Sequence, residues 1–417
     1  MGRKIISVML IVMMISSLGI TSFANENSLS LTDAVNMAIE NTDSINDLED
    51  QMDDMWEQHN DMLAIKNQIE DTLTALSRYE DLYDKKYVEK EALTPLEEQK
   101  LAGYQFAFGK TPPKYSGQEM LDNFIKRRDF PHYQMWVGYE TMKNNKKQIP
   151  ITLETSVKGL YVNILNLNDM ISSQNLYTNI LEDKYKSAKL KYELGQISAF
   201  ELLNEETNYK IQKLNYEKLD RQLKMLKLQF NNLIGVDLKI DVELTSKLYD
   251  FRKIELNDLS FYENSAVDYR LEVINAKLNY DMESREAGII AEYLSNPLTN
   301  DRLTYDSDLI DAENALDEAI IDVKEDVTKA YFETLQSFDD YNSKIDNYLM
   351  KTRDLNEKRS MYEKGMFDKN TFAMIEFVYN MAKDSLVSSR RTFNLNYEKL
   401  ENASNFGPGF ESNIGGY

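Results

Sequence analysis

From Leu29 onward, apolar side chains recur every three or four positions over most of the chain, the period of helices buried along one stripe. Ser30 and Thr32 stand as caps before Ala34, Val35, Ala38 and Ile39. A second helical run opens near Ser44, passes Leu63, Ile65, Ile69 and Leu73, and reaches about Tyr87. Helical patterning returns from Ile151 to Leu233, broken at Gly195. Within it, Tyr216, Leu219, Leu223, Leu226, Phe230 and Leu233 alternate spacings of three and four, the seam by which one long helix packs along another. Gly235 ends that run. Helix resumes from Leu259 to Leu294, where Ser295-Asn296-Pro297 stops it. Two further runs extend from near Asp306 to Glu363 and from about Thr371 to Ala403, with Gly365 between them. The expected class is all-α, built from long antiparallel helical hairpins.

One stretch departs from this pattern. Gly103, Gly109, Pro112, Pro113, Gly117, Pro131, Gly138 and Pro150 crowd turn-formers into 103–150. Tyr104-Phe106-Phe108 and Tyr133-Met135-Val137-Tyr139 alternate within it. The stretch reads as an irregular insert, holding either short strands or a loop cap.

Sliding the chain by 170 residues lays its second half on its first without a gap. Val157, Tyr161, Leu165, Asp169 and Ser173 fall on Val327, Tyr331, Leu335, Asp339 and Ser343. Tyr192, Glu193, Gly195, Glu206 and Tyr209 fall on Tyr362, Glu363, Gly365, Glu376 and Tyr379. Both glycines interrupt a long helix at the same phase, the mark of tandem units packed side by side. More loosely, Asp43-Ser44-Ile45 matches Val267-Asp268-Tyr269-Arg270-Leu271 as the opening of a leading helix. The expected organisation is a signal peptide at 1–24, a first hairpin repeat at 25–235 carrying the insert, a connector at 236–258, a second repeat at 259–403, and a disordered tail at 404–417.

Composition narrows the functions open to such a chain. Of 417 residues, 70 are Asp or Glu and 48 Lys or Arg, a formal charge of -22 that would repel a phosphate backbone, so nucleic acid is not an expected partner. There is no Cys, which removes disulfides, thiolate chemistry and a lipid-modified Cys anchor. Arg3 and Lys4 precede an apolar Ile5–Ile20, and Ser22-Phe23-Ala24 offers a signal-peptidase site before Asn25, so the chain reads as exported. No later stretch approaches the roughly 18 apolar residues of a spanning helix. His59 and His132 lie in different segments without metal-ligand spacing, and His59 reads as a solvated helix residue. No phosphate loop or nucleophile elbow is present. No enzymatic activity and no cofactor are expected.

Leu29-Ser30-Leu31-Thr32-Asp33-Ala34, with Ala38-Ile39-Glu40-Asn41, resembles the N-terminal signature of the TolC family of outer-membrane efflux channels. Tyr192-Glu193-Leu194-Gly195-Gln196-Ile197-Ser198, continuing through Glu201-Leu202-Leu203 to Glu206, resembles the motif that this family repeats in each half. The second copy is Tyr362-Glu363-Lys364-Gly365-Met366-Phe367-Asp368, with Phe372 and Glu376 beyond. The resemblance implies three chains forming an α-helical barrel. It also implies that the Gly turns, Leu194–Ser198 and Lys364–Phe367, form an open tip where an adaptor or pump docks.

Two departures bear on that implication. The family's other end carries two membrane strands per half, each needing about 9–11 residues. The runs in 103–150 are short and broken, and no room exists after Pro297, so no direct β-barrel insertion is expected. Where the family often places gating aspartates after the second Gly, this chain has Thr371 and Met374; Glu201 in the first copy remains a candidate lumen acid. The resulting expectation is an envelope component of an efflux or export assembly. The alternative is a coiled-coil scaffold of the envelope; a binder of cationic ligands rests on acidity alone.

Overall fold

The computed structural model describes residues 28–248, 256–366 and 368–405. The signal segment, Phe367 and residues 406–417 of the tail lie outside the described residues. Helix α1 (Leu31–Glu40) is capped by Ser30, whose Oγ accepts the Asp33 N–H at 3.2 Å. Then follow α2 (Ser44–Tyr87), α3 (Pro95–Phe108), α4 (Gly117–Met120), a π-helical turn (Leu121–Ile125) and α5 (Lys126–Asp129). The long α6 (Pro131–Glu193) and α7 (Ala199–Leu233) complete the first half. The second half comprises α8 (Leu259–Tyr269), α9 (Leu271–Tyr293), α10 (Asn300–Glu363) and α11 (Lys369–Ser404). At 63 and 64 residues, α6 and α10 each extend roughly 95 Å.

The halves share one plan. A short helix lies across the middle of the shaft, α1 against α6 in one half and α8 against α10 in the other. Each is followed by a helix running toward one end, α2 or α9, and by a hairpin running to the other, α6–α7 or α10–α11. The waist holds both main cores. Ala34 and Ala38 pack with Val157, Tyr161, Ile164 and Phe230 in the first half; Tyr262 and Ala266 pack with Val323, Val327 and Leu400 in the second. A two-residue parallel pairing of β1 (Ser28–Leu29) and β2 (Glu243–Leu244) closes the first core. Arg391 of α11 crosses between the halves. Fully buried, it donates to Asp169 Oδ2 at 2.7 Å, Asn166 Oδ1 at 3.1 Å and the Lys247 carbonyl at 3.0 Å.

Apart from the irregular link 109–116, the stretch 103–150 is helical, with no strand, which corrects the sequence expectation. Pro131 starts a helix instead of ending one, in a first turn where a missing N–H costs nothing, while Pro112 and Pro113 lie in the link between α3 and α4. Gly103 lies inside α3, and Gly117 answers a close approach, since a Cβ there would sit 2.3 Å from the Tyr293 carbonyl oxygen. Tyr104 and Phe108 are one helical turn apart, both against Tyr79, while Phe106 points outward. Pro150 sits within α6 without ending it, and α2 and α9 brace the turns just before it. Lys146 pairs with Glu49 of α2, and Asn144 Nδ2 donates to Asn275 Oδ1 of α9 at 2.8 Å. Tertiary contacts override the local breaker here. Helix α6 therefore begins twenty residues before the expected Ile151.

The expected single run from Leu259 to Leu294 is divided at Arg270, whose backbone is extended. Its buried guanidinium holds the break by donating to both Glu272 oxygens, at 2.6 and 3.0 Å, and to the Ala403 carbonyl at 3.2 Å.

Candidate functional site

The end of the shaft where α6 turns into α7 and α10 into α11 carries the residues expected to dock a partner, Phe367 lying outside the described residues. At the first turn, Gly195 takes φ +69°, a backbone region that a side chain reaches only with strain. The Gly195 N–H donates to the Tyr192 carbonyl at 2.9 Å and the Gln196 N–H to the Lys191 carbonyl at 2.8 Å. At the second, Gly365 takes φ +75°, and its N–H and that of Met366 donate to Tyr362 and Met361 at 2.8 and 3.1 Å. Both turns are the Schellman closure, which satisfies the last carbonyls of a helix and reverses the chain.

The following helix is capped at each tip by one carboxylate and one hydroxyl, with their places exchanged. Ser198 caps α7: its Oγ accepts the Glu201 N–H at 3.2 Å, while the Glu201 carboxylate accepts from the Ser198 N–H at 2.7 Å and its hydroxyl at 2.9 Å. Asp368 caps α11, accepting the Thr371 N–H at 2.8 Å and its hydroxyl at 2.9 Å. Ser198 and Asp368 are 170 residues apart, as are Glu201 and Thr371. These bonds hold both acids below the usual carboxylate range: the Ser198 and Thr371 backbone N–H groups act first, their hydroxyls second. Glu201 is thus placed as a capping acid at the tip.

Helix α11 runs antiparallel to α6, with Tyr177 stacked on Phe377 at 4.7 Å and Ser173 Oγ donating to Asp384 at 2.5 Å. The two tips accordingly emerge at one end. They differ in what they expose. Leu194 (63%), Phe200 (70%) and Leu203 stand outward at the first, with Gln196 exposed and Ile197 half-buried; Met366 (66%) stands outward at the second, beside exposed Lys364. There Tyr362 stacks on buried Phe372 at 4.4 Å, which closes the turn over its own aromatic pair.

The chain's two histidines, 73 residues apart, meet at the α2–α6 crossing. His59 is buried, not solvated as its sequence context suggested: its Nδ1 donates to the His132 carbonyl at 2.7 Å and its ring stacks on Trp56. His132 is buried too, and among the described residues no group lies within good hydrogen-bonding geometry of its Nδ1. Burial, then Lys66, Arg285 and His59, push its pKa down against one opposing backbone bond at Arg128. The only hint in the sequence was that His59 falls in phase with Met52, Ile69 and Tyr79, the other buried positions of α2. Among the described residues no group of three His, Cys, Asp or Glu is placed to hold a metal ion, and no helix is long and apolar enough to cross a membrane.

No protein-family model and no curated protein matches this chain. Solved structures do. A membrane protein from Pseudomonas aeruginosa aligns over 93% of this chain and 92% of its own, with a TM-score of 0.60 and 11% identity. The outer-membrane channel OprN aligns over 88% and 89%, with a TM-score of 0.57 and 9% identity. The Campylobacter jejuni CmeC outer membrane channel aligns over 70% of each chain, with a TM-score of 0.52 and 12% identity. At such identities the likeness is one of fold.

Proposed function

From the premise that the chain has the TolC-like fold, we propose that it is an envelope component of an efflux or export assembly, forming an oligomeric helical conduit. The observation that carries this reading is an apolar line left uncovered on α7. Phe200 and Ile211, and likewise Leu203, Leu214 and Met225, are exposed at intervals of eleven residues, with Leu228 continuing the line. Eleven residues make three turns, so these side chains form a straight stripe along one face. On α10 Leu303, Ile310, Ile321 and Phe332 repeat the arrangement at intervals of seven and eleven. A contiguous exposed apolar face of this kind is a surface for another chain. Copies of this chain are the occupants, three by the family resemblance.

In this reading the Gly-turn end, through Leu194, Gly195, Gln196, Ile197, Ser198, Lys364, Gly365, Met366 and Phe367, receives an adaptor or pump. Transport is passive and the chain catalyses no reaction. Its place is the cell envelope beyond the cytoplasmic membrane, and the outer membrane where the host has one. The mass of the purified protein by light scattering tests it: about three chains are expected, and Leu214→Asp with Met225→Asp lowers the mass to one. A monomer at micromolar concentration sinks the reading.

A second reading, a non-transporting scaffold of the envelope, is favoured by one feature. The end where family resemblance implies membrane strands carries α3 to α5 in the first half and a short turn, 294–299, in the second. Deletion separates the two readings: a conduit component alters solute export and drug sensitivity, whereas a scaffold alters envelope integrity alone.

A further inference from the structure

The end opposite the Gly turns bears an arm built by the first half alone. Leu73 packs at the level of Ile290, Tyr293 and Leu294, where α9 gives way to α10. Helix α2 continues fourteen residues farther, roughly 21 Å, and α3 folds back along it. Tyr79, whose hydroxyl donates to the Gly109 carbonyl at 2.6 Å, and the pairs Lys85–Glu97 and Lys86–Glu98, both 3.0 Å, hold the arm together.

The arm differs electrically from the shaft. Residues 78–130 hold ten basic and ten acidic side chains, a net of zero in a chain of -22. Its two outer faces divide those charges. On α3, the face turned away from α2 carries Leu96, Gln99, Lys100, Gly103 and Phe106 and no acid; Lys110 continues it, and Phe106 is 95% exposed. Among the described residues neither Lys100 nor Lys110 takes part in an ion pair. On α2, the face turned away from α3 carries Glu70, Thr74, Ser77, Asp81, Asp84 and Val88, all exposed and spaced alternately by four and three.

The contacts within the arm fix the heights of these residues. Since Lys85 meets Glu97 and Tyr79 meets Gly109, Leu96 lies level with Val88, Lys100 with Asp81 and Asp84, Phe106 with Ser77, and Lys110 with Thr74. Copies arranged around an axis parallel to the arm keep those levels. We propose that the arms interlock in a ring of copies of this chain, the α3 face of each seated on the α2 face of the next. Apolar residues then meet apolar or uncharged ones, Lys100 meets Asp81 and Asp84, and Lys110 meets the uncharged Thr74. The contact joins two different faces, so it passes on from copy to copy rather than stopping at a dimer, and a ring results where the rotation closes. Two α3 faces would bring the lysines against each other, and two α2 faces the acids. The absence of side chains at Gly103 lets the backbones approach, since nothing lies within 4 Å of its position. The proposal rests on the oligomeric reading above and adds the surface that closes the end opposite the tips.

The natural absence of Cys makes the test direct. Phe106→Cys and Ser77→Cys in one full-length chain, oxidised mildly, should give disulfide-linked species up to the closed ring, at roughly tenfold the yield of either single variant. Lys100→Glu should lower that yield severalfold, and adding Asp81→Lys with Asp84→Lys should restore it. Unchanged circular dichroism shows that each variant folds. Linking by Phe106→Cys alone would mean that the face meets itself, and the interlock fails. Absence of links in a protein whose scattering mass is that of an oligomer would overturn the interlock and leave the oligomer standing; a monomeric mass would remove both. Sedimentation of the unlinked chain with anionic vesicles, lost in Phe106→Ala, would assign the face to lipid instead.

Discussion

The two halves agree at one end and part at the other. At the Gly-turn end each half reverses direction through the same Schellman closure, at φ +69° and +75°, and caps the next helix with one carboxylate and one hydroxyl. At the far end the first half spends residues 88–130 on three helices and a π-helical turn, whereas the second passes from α9 to α10 through residues 294–299. The difference shows where the repeat is bound by geometry. A hairpin of two equally long helices can reverse in few ways, and both halves use the same one. At the far end nothing requires the halves to match, and only one of them projects beyond the shaft.

The largest expected effect is at the waist that both halves share. Arg391→Met leaves the Asp169 carboxylate and the Lys247 carbonyl without their buried partner, and should cost about 1–3 kcal/mol in urea unfolding. A loss below about 1 kcal/mol would mean that each half stands without the other. At the tips, Gly195→Ala and Gly365→Ala should each cost about 1–2 kcal/mol, because both force a side chain into the left-handed region. Unequal costs would show that the stacked Tyr362–Phe372 pair makes the second tip stiffer. Smaller still, Ser198→Ala and Asp368→Ala should each lose about 1 kcal/mol of helix capping. On the arm the sign reverses: Gly103→Ala, inside an exposed helix with open space around it, should stabilise the unassembled chain by about 0.5–1 kcal/mol.

Acid sharpens the same comparison without mutation. Glu97 closes the capping box of α3, and bonds from the Thr94 N–H and hydroxyl and from Lys85 hold its pKa down to about 2. A carboxyl depressed on folding contributes stability that is present above its unfolded value, near 4.5, and lost as pH falls toward 2. Glu201 and Asp368 behave alike at the tips. His132 acts in a higher window. Its pKa is lowered from 6.5, so the neutral form is favoured on folding and the stability it confers fades as pH drops below that value. Amide exchange near the α2–α6 crossing should therefore quicken below about pH 6.5, while α3 and both tips hold until pH falls below about 4.5. Simultaneous loosening of all three would refute this ordering.

Much of this was legible beforehand. Gly195 and Gly365 announced the tips because each is a lone breaker in a long periodic run, and the fixed offset tied them together. The seam from Tyr216 to Leu233 and the limits of α2 followed from spacing alone. What stayed hidden depended on partners distant in sequence. Pro150 looks like a helix end until α2 and α9 are seen bracing it, and Gly117 looks like a turn until Tyr293 arrives beside it. Alternation at 104–108 imitated a strand because an aromatic ladder facing Tyr79 and an exposed Phe106 happen to interleave. His59 was misjudged for the same reason, its shelter being supplied by a helix 73 residues away. The exchanged caps escaped notice because Ser198–Glu201 and Asp368–Thr371 align as mismatches.

The waist cores also make the shaft a lever. From Leu165, at the first core, to Glu193, at the tip, α6 runs 28 residues without a break, roughly 42 Å of stiff rod. A rotation of about 5° at such a pivot carries the Gly turn through roughly 4 Å, with no helix bent. Arg391 lies close to the fulcrum, where the same rotation moves atoms least and its hydrogen bonds to Asp169, Asn166 and Lys247 survive. The far ends of the rods thus have a wide stroke, driven by changes in packing too small to disturb the centre.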